Sequence, residues 1–354
     1  MKIIDRYLSV ILLITTALAL TVLLALFAFL SLIDQLEDAG HGNYDVISAV
    51  QYVLLTLPHI AYELFPVAAM IGSMTTLGLL SHNCELVIIR ASGTSLFRLA
   101  YAMGKGGLII IFITIIVGEV IAPYSEQKAQ NLRSIALNEQ IALKTKNGFW
   151  SRDGLSFINI RRILPGDQLQ EIYIYEFDDN EQLRIATHAE QARYVNNKWL
   201  LENIEQSVLE PDHISEREIK LAAWNSLLNP DVINLVAVKP QYLTIWGLFE
   251  YISYLKKNGQ NSIKYEQALW AKLVNPVTIL AMIILAVPLV STYSKTIAVS
   301  QRIFFGCFIG ILFNIINQVS GQMGIVYSIN SFVSATFPTL CIIFLVFWLM
   351  YKKA

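Results

Sequence analysis

The sequence predicts an α-helical polytopic membrane protein, with six transmembrane helices and an all-β domain inserted between the third and the fourth. Three observations carry this. First, 55% of the 354 residues are apolar and only 15% are charged, against about 45–50% and about 25% in soluble domains; the mean hydropathy is +0.51. Second, the charge is unevenly placed. Residues 126–264 are rich in Asp, Glu, Lys and Arg while both flanks are nearly bare, so two parts of the chain meet two solvents. Third, the charged middle alternates apolar and polar residues with the period of half-buried strands.

The first span is the clearest, since residues 8–33 contain no charge. At 1.5 Å per residue this run is about 39 Å long, enough to cross a ~30 Å hydrocarbon core with tilt. It is too long for a signal-peptide core and no small-residue cleavage site follows it, so it reads as a retained helix. Further spans fall at about 59–81, 101–122, 266–292, 303–323 and 329–350. The second carries His59, Glu63 and Pro66. The stretch 46–57 before it reads as a separate interfacial helix ending at Pro58, because the residue before a proline avoids the helical region.

Between the third and fourth spans, "SFINIRRI" and "QEIYIYEF" alternate as strands, and "ARYVNNKWLLENI" reads as a hairpin turning at Asn196-Asn197. Asp178-Asp179-Asn180 supplies turn chemistry. An antiparallel sheet or sandwich is expected over about 145–240, followed by a helix within 241–263 that Asn258-Gly259 ends. The expected organisation is therefore 1–125 (three spans), 126–263 (the inserted domain and its helical connector) and 264–354 (three spans).

Orientation follows from the basic residues. With the N-terminus in the cytoplasm, the cytoplasmic pieces carry Lys2, Arg6, Arg90, Arg98, Lys105, Lys295, Arg302, Lys352 and Lys353, while the loop after the first span carries Asp34, Glu37, Asp38 and Asp45. This positive-inside asymmetry places both termini in the cytoplasm and the inserted domain outside it.

Several chemistries are excluded. A phosphate loop needs G-x-x-x-x-G-K-[ST]. The nearest stretch, "MGKGGL" at 103–108, has Leu99 where the first glycine belongs and Gly106 after Lys105. No HExxH, GxSxG or acidic metal cluster is present, so any energy for uphill transport comes from another subunit. Cys84, Cys307 and Cys341 have no metal-like spacing, and the charged middle contains no cysteine for a disulfide framework. The net charge of −1 offers no basis for nucleic-acid binding.

The candidate sites are few. Between the second and third spans, "SHNCELVIIRASGTSLFR" places Leu86 and Ile89 on one face of a short helix after Glu85, with Arg90 near its end and Gly93 as its stop. This is either a helix that docks in a partner's groove or an ordinary connector with a hydrated glutamate. Lys128, Arg133, Lys144 and Lys146 form a collar at the base of the inserted domain, suited to lipid phosphates or simply solvated. Glu119, near the end of the third span, either faces a cavity or partner or lies at headgroup depth. His59 and Glu63 stand one helical turn apart and can pair. The fifth span carries Asn314, Asn317 and Gln318, amides that in a span face other helices or a wet cavity. Phe304, Phe305, Ile309 and Phe313, with Leu26, Phe27 and Phe29 of the first span, are candidates for an apolar cavity or for plain lipid contact.

Nearly the whole chain resembles the LptF/LptG permeases of bacterial lipopolysaccharide export. The resemblance rests on "DRYL" at 5–8, "DQL" at 34–36, "AGHGNYD" at 39–45, "FP" at 65–66, "ELVIIRASG" at 85–93 and "GEVIAP" at 118–123. It continues in "GFWSRDG" at 148–154, "FINI" at 157–160, "YLKKNGQ" at 254–260 and "NQVSG" at 317–321. Their order and spacing match the expected topology.

The resemblance implies a permease of the Gram-negative inner membrane with a periplasmic β-jellyroll. It implies a heterodimer with an LptF-like permease, a dimeric LptB-type ATPase beneath, and an LptC-type single-span jellyroll protein. The cargo is lipopolysaccharide, entering between the first span of one permease and the fifth of the other. ATP and Mg would bind the ATPase, leaving no cofactor on this chain. Glu85 then corresponds to the carboxylate of a coupling helix and Arg133 to a lipid A phosphate contact. Lysines that the family carries near the outer end of the first span correspond here to Ser31, Glu37 and Asp38, and a neighbouring basic position to Gln130; phosphate contact is left to Lys128, Arg133 or the partner. A permease for another lipid or lipoprotein, an intramembrane enzyme using Glu119, His59 or Glu63, and a structural anchor are the alternatives.

Overall fold

The computed structural model describes residues 3–137, 148–164, 168–178, 180, 182, 183–195, 198–209, 214–224, 239–292 and 299–353. Lys2, Lys144, Lys146, Lys295, Asp179 and the Asn196-Asn197 turn named above lie outside the described residues.

Among the described residues, six helices are long and apolar enough to cross a membrane. They are α1 (Ile3–Glu37), α2 (Val46–His82), α4 (Leu96–Ala136), α6 (Ile263–Thr292), α7 (Val299–Val326) and α8 (Ser331–Lys353). A short helix, α3 (Glu85–Ala91), joins α2 to α4. A further helix, α5 (Ile245–Lys257), follows a 3₁₀ turn at Pro240–Tyr242.

The second span differs from expectation. No interfacial helix ends at Pro58; α2 is one helix of 37 residues with Pro58 and Pro66 inside it. The proline rule describes an isolated backbone. Here tertiary packing overrides it, since neighbouring helices bury most of α2, and bundles tolerate prolines whose freed groups neighbours cover. Asp45 caps its start, accepting from the Ser48 N–H at 2.8 Å; the Ser48 hydroxyl first, and then that N–H, hold the Asp45 carboxyl below its ordinary value.

The third span also runs further than predicted, to Ala136, so residues 126–136 extend a span rather than begin the β domain. A π turn at Val117–Ile121 interrupts it just before Pro123. A proline ring clashes with the carbonyl four residues back; widening the preceding turn relieves that clash and lets the helix continue. The same turn is where Gly118 meets Tyr62. A Cβ at Gly118 would lie 2.3 Å from the Tyr62 ring.

Close helix contact also rests on Gly72 of α2. A Cβ there would sit 2.3 Å from the Thr16 hydroxyl and 2.7 Å from its Cα. Beside it, Thr15 donates to the Gly72 carbonyl at 3.0 Å and lies 2.7 Å from the Thr76 hydroxyl. Small residues and hydroxyl bonds of this kind hold helices together where lipid removes the hydrophobic drive. The main apolar core joins Leu8 and Leu12 of α1, Met70 and Met74 of α2, Met103 of α4 and Met282 of α6.

Among the described residues, the inserted domain forms one antiparallel six-stranded sheet in sequential order. Its strands are β1 (Phe149–Asp153), β2 (Ser156–Leu164), β3 (Gln168–Phe177), β4 (Leu183–Val195), β5 (Lys198–Leu209) and β6 (Ile214–Trp224). Asp178 closes the β3–β4 turn by accepting from Asn180 and Gln182 N–H at 2.9 and 2.8 Å. One row breaks the pleat. The pairing passes from Ile160–Ile172 to Arg162–Gln170, from Ile172–Ala189 to Gln170–Gln191, and from Ala189–Ile204 to Gln191–Glu202. Glu171 and Asn203 in that row have φ of 55° and 53°, and Asn203 donates to Glu190 at 2.6 Å. Buried residues therefore recur three apart across it (Leu169 and Ile172, Ala189 and Ala192, Leu201 and Ile204), so one apolar face continues past a crease. Against that face packs α5, through Tyr251, Tyr254 and Leu255, with the Tyr254 hydroxyl 2.8 Å from that of Ser151.

Candidate functional site

At the end of the bundle away from the sheet, α3 follows α2 through Cys84, which has φ 60° and gives the helix no side-chain cap. Glu85, its first residue, accepts a 2.9 Å hydrogen bond from Tyr7 of α1. Leu86 is buried in the bundle core, Ile89 is half-buried, and Arg90 is exposed. The apolar groups that α3 presents outward are instead Val87 and Ile88, 44% and 67% exposed. Nearby, Asp5 is 1% exposed and takes Arg98 at 2.7 Å and Lys105 at 2.9 Å, both from α4. A buried carboxylate is stable only when paired and hydrogen-bonded, and here both oxygens are used. Sequence reading saw Arg98 and Lys105 only as orientation markers; an aspartate at the mouth of a charge-free helix was the available signal.

At the sheet end, Glu119 sits in the π turn of α4. Its Oε1 lies 2.9 Å from Lys272 Nζ of α6, and its Oε2 accepts the Ile245 N–H at 2.7 Å, at the start of α5. Lys272 is 7% exposed. Glu119 therefore faces a partner and ties α4, α6 and the helix beneath the sheet together. Lys272, a lone cation in an apolar span, was the signal missed.

Beside this junction is a chamber of about 190 Å³ between α2, α6, α7 and the 3₁₀ turn, lined by His59, Glu63, Lys272, Asn275, Asn314 and Asn317 among others. Phe313 and Val67 form part of its apolar wall. His59 Nε2 lies 3.2 Å from Glu63 Oε1 but without the alignment of a hydrogen bond, and that nitrogen is buried with no hydrogen-bond partner. The His59 ring meets Tyr242 edge-on at 4.5 Å. Burial, with Glu126 close by, pushes the Tyr242 phenol up to about 12, so it stays protonated at physiological pH.

The basic collar is partly neutralised. Arg133 pairs with Asp38 and lies 5.8 Å from the centre of the Tyr52 ring. Lys128 is exposed, with its ammonium 4.5 Å over Tyr124. The aromatic candidates divide. Leu26, Phe27, Phe29, Phe304 and Phe305 are exposed, Ile309 packs against the core, and Phe313 is buried. Helices α1 and α7 both pack on α2, through Ala19, Val67 and Ile71 with Leu23 and Ile303. Each leaves an apolar stripe outward: Leu18, Val22 and Leu26 on α1, and Phe304, Phe308 and Ile311 on α7.

Among the described residues no group of three or more His, Cys, Asp or Glu is placed to hold a metal. Six helices long and apolar enough to cross a membrane among the described residues, with a sheet at one end and an exposed short helix at the other, fit a membrane transport subunit. Residues 6–352 match the family described as lipopolysaccharide export system permease LptF/LptG. The lipopolysaccharide export system permease protein LptG of Haemophilus influenzae is 34% identical over 351 residues, covering 99% of this chain and 98% of that protein. The protein of the same name from Escherichia coli K12 is 30% identical over 355 residues, with 99% of each covered. The chain belongs to the LptF/LptG family of lipopolysaccharide export permeases. It is a multi-pass inner-membrane permease subunit, and its family implies work with LptF- and LptB-type components.

Proposed function

We propose that this chain extracts lipopolysaccharide from the outer leaflet of the inner membrane, driven by ATP hydrolysis in a partner ATPase docked at α3. The observation that carries this is the connection of α3 to the bundle. Tyr7 ties Glu85 to α1, Asp5 ties α1 to α4, and α4 runs on to Glu119, which grips the helix under the sheet. A push on Glu85, Val87, Ile88 and Arg90 therefore has a packed route to the sheet. Leu86 and Ile89 serve as the inner anchor of the same helix.

In this reading both termini and α3 are cytoplasmic and the sheet is periplasmic, as the placement of Lys and Arg favours. An LptF-like permease completes a heterodimer, with a dimeric LptB-type ATPase below and an LptC-type jellyroll protein extending the sheet. ATP and Mg bind the ATPase, and this chain needs no cofactor. The stripes on α1 and α7, including Phe27 and Phe305, line the cavity and its lateral gates. Each acyl CH₂ that leaves lipid for water costs roughly 0.8 kcal/mol, so an apolar lining lowers the work of extraction. Lys128 meets a lipid A phosphate directly, whereas Arg133 does so by exchanging Asp38 for it.

Purifying a tagged chain from its native membrane in mild detergent tests the reading. A second six-span permease, an ATPase and bound lipopolysaccharide are expected. A chain that purifies alone in several detergents would overturn it.

A further inference from the structure

The chamber between α2, α6 and α7 meets the coupling route only at Lys272 and lies apart from the outward stripes, and its chemistry is specific. Its volume of about 190 Å³ exceeds that of an engineered cavity of about 150 Å³ that holds benzene, so it has room for a group somewhat larger than a bare six-membered ring. Asn275, Asn314, Asn317, Gln318 and Gln241 bring five carboxamides to its wall, and Gln318 donates to Asn314 at 2.9 Å. His59 is 8% exposed and lines the chamber; its Nε2 is buried, 3.2 Å from Glu63 Oε1, without a hydrogen-bond partner. A buried polar atom left so costs free energy until something bonds it.

Three occupants can be separated on chemistry. An acyl chain offers no hydrogen bond to the amides or the imidazole. A phosphate would face the Glu63 carboxylate, with the one lining ammonium, Lys272, already bound to Glu119. A hydroxyl both donates and accepts, as a carboxamide does, so a neutral polyol ring satisfies this wall. The apolar patch of Val67, Pro66 and Phe313 suits the C–H face of such a ring.

We infer that the chamber is a saccharide subsite, holding one sugar ring of the glycolipid cargo beside α7 during extraction. The inference rests on the export reading above. It separates the permease's contacts into an outward apolar surface for acyl chains and an amide-lined niche between helices for headgroup sugar.

The test uses the purified complex of both permeases and the ATPase, carrying a small diazirine amino acid at Val274 in the chamber or at Phe27 on α1, with purified lipopolysaccharide as probe. Lipopolysaccharide adducts are expected at both positions, with the Val274 adduct localised by mass spectrometry to a sugar. Asn314→Leu with Asn317→Leu should lower the Val274 adduct about fivefold or more, the worth of one or more neutral hydrogen bonds, and leave the Phe27 adduct intact. If that pair fails to assemble, Asn317→Ala gives the same comparison. An adduct at Phe27 alone overturns the subsite and leaves the export reading standing. An adduct at neither position removes both. An adduct at Val274 that the amide variants do not change, that maps to an acyl chain, or that phosphatidylethanolamine vesicles give equally well overturns the saccharide assignment.

Discussion

The two ends of the helical bundle both bury charge, but they hold it differently. At the sheet end Lys272 and Glu119 have side chains 6% and 23% exposed, and both glutamate oxygens are occupied, one by a helix N–H. At the other end Asp5 is 1% exposed, yet Arg98 and Lys105 are 33% and 31% exposed. Beyond them, Glu85 reaches only the exposed Tyr7 hydroxyl and Asn83 among the described hydrogen bonds. The sheet is thus fastened by desolvated contacts that break at high cost, whereas α3 is fastened at a wet rim where contacts exchange cheaply. Under the proposed docking of an ATPase at α3, this asymmetry gives a compliant input and a stiff output.

The largest effect should come from the stiff end. Lys272→Met leaves Glu119 without its ammonium, and breaking a buried pair from one side costs about 3–5 kcal/mol. Thermal unfolding in detergent should show a steep loss, and the double change Lys272→Met with Glu119→Gln should recover much of it. Equal destabilisation by the single and double changes would show that the pair is not the fastening.

Next comes Gly118→Ala, whose Cβ meets the Tyr62 ring. Overpacking of this kind costs about 1–3 kcal/mol, measurable as a lower midpoint of unfolding. Gly93→Ala, where a Cβ meets nothing but φ is +84°, separates backbone strain from crowding.

At the compliant end Asp5→Asn should cost about 1.5–3 kcal/mol, the range for hydrogen bonds to charged groups, discounted because Arg98 and Lys105 reach water. The smallest stability effect belongs to Tyr7→Phe. It should leave the unfolding midpoint unchanged while lowering ATP-driven lipopolysaccharide release, and unchanged release would remove Tyr7 from the route.

Much of this architecture is legible in the sequence, and the misses share a cause. Long apolar runs mark the spans and period-two alternation marks the strands because those signals are local. The continuity of α2 through Pro58 is set by helices packed around it, and that of α4 past Pro123 by a π turn. The crease through Glu171 and Asn203 depends on left-handed backbone at residues whose type does not demand it. Glu119 and Lys272 are 153 positions apart, and Arg133 and Asp38 are 95 apart; a single sequence gives each charge but not its partner. In α3, spacing correctly grouped Leu86 with Ile89 but gave no sign that this face turns inward.

The central claim is that force enters at Glu85. The direct measurement is ATP-dependent release of lipopolysaccharide from proteoliposomes holding both permeases and the ATPase, with Glu85→Ala in this chain. Release should fall to the level seen without ATP while the permease pair still assembles. Release at the unaltered rate would show that the ATPase drives the bundle from somewhere else.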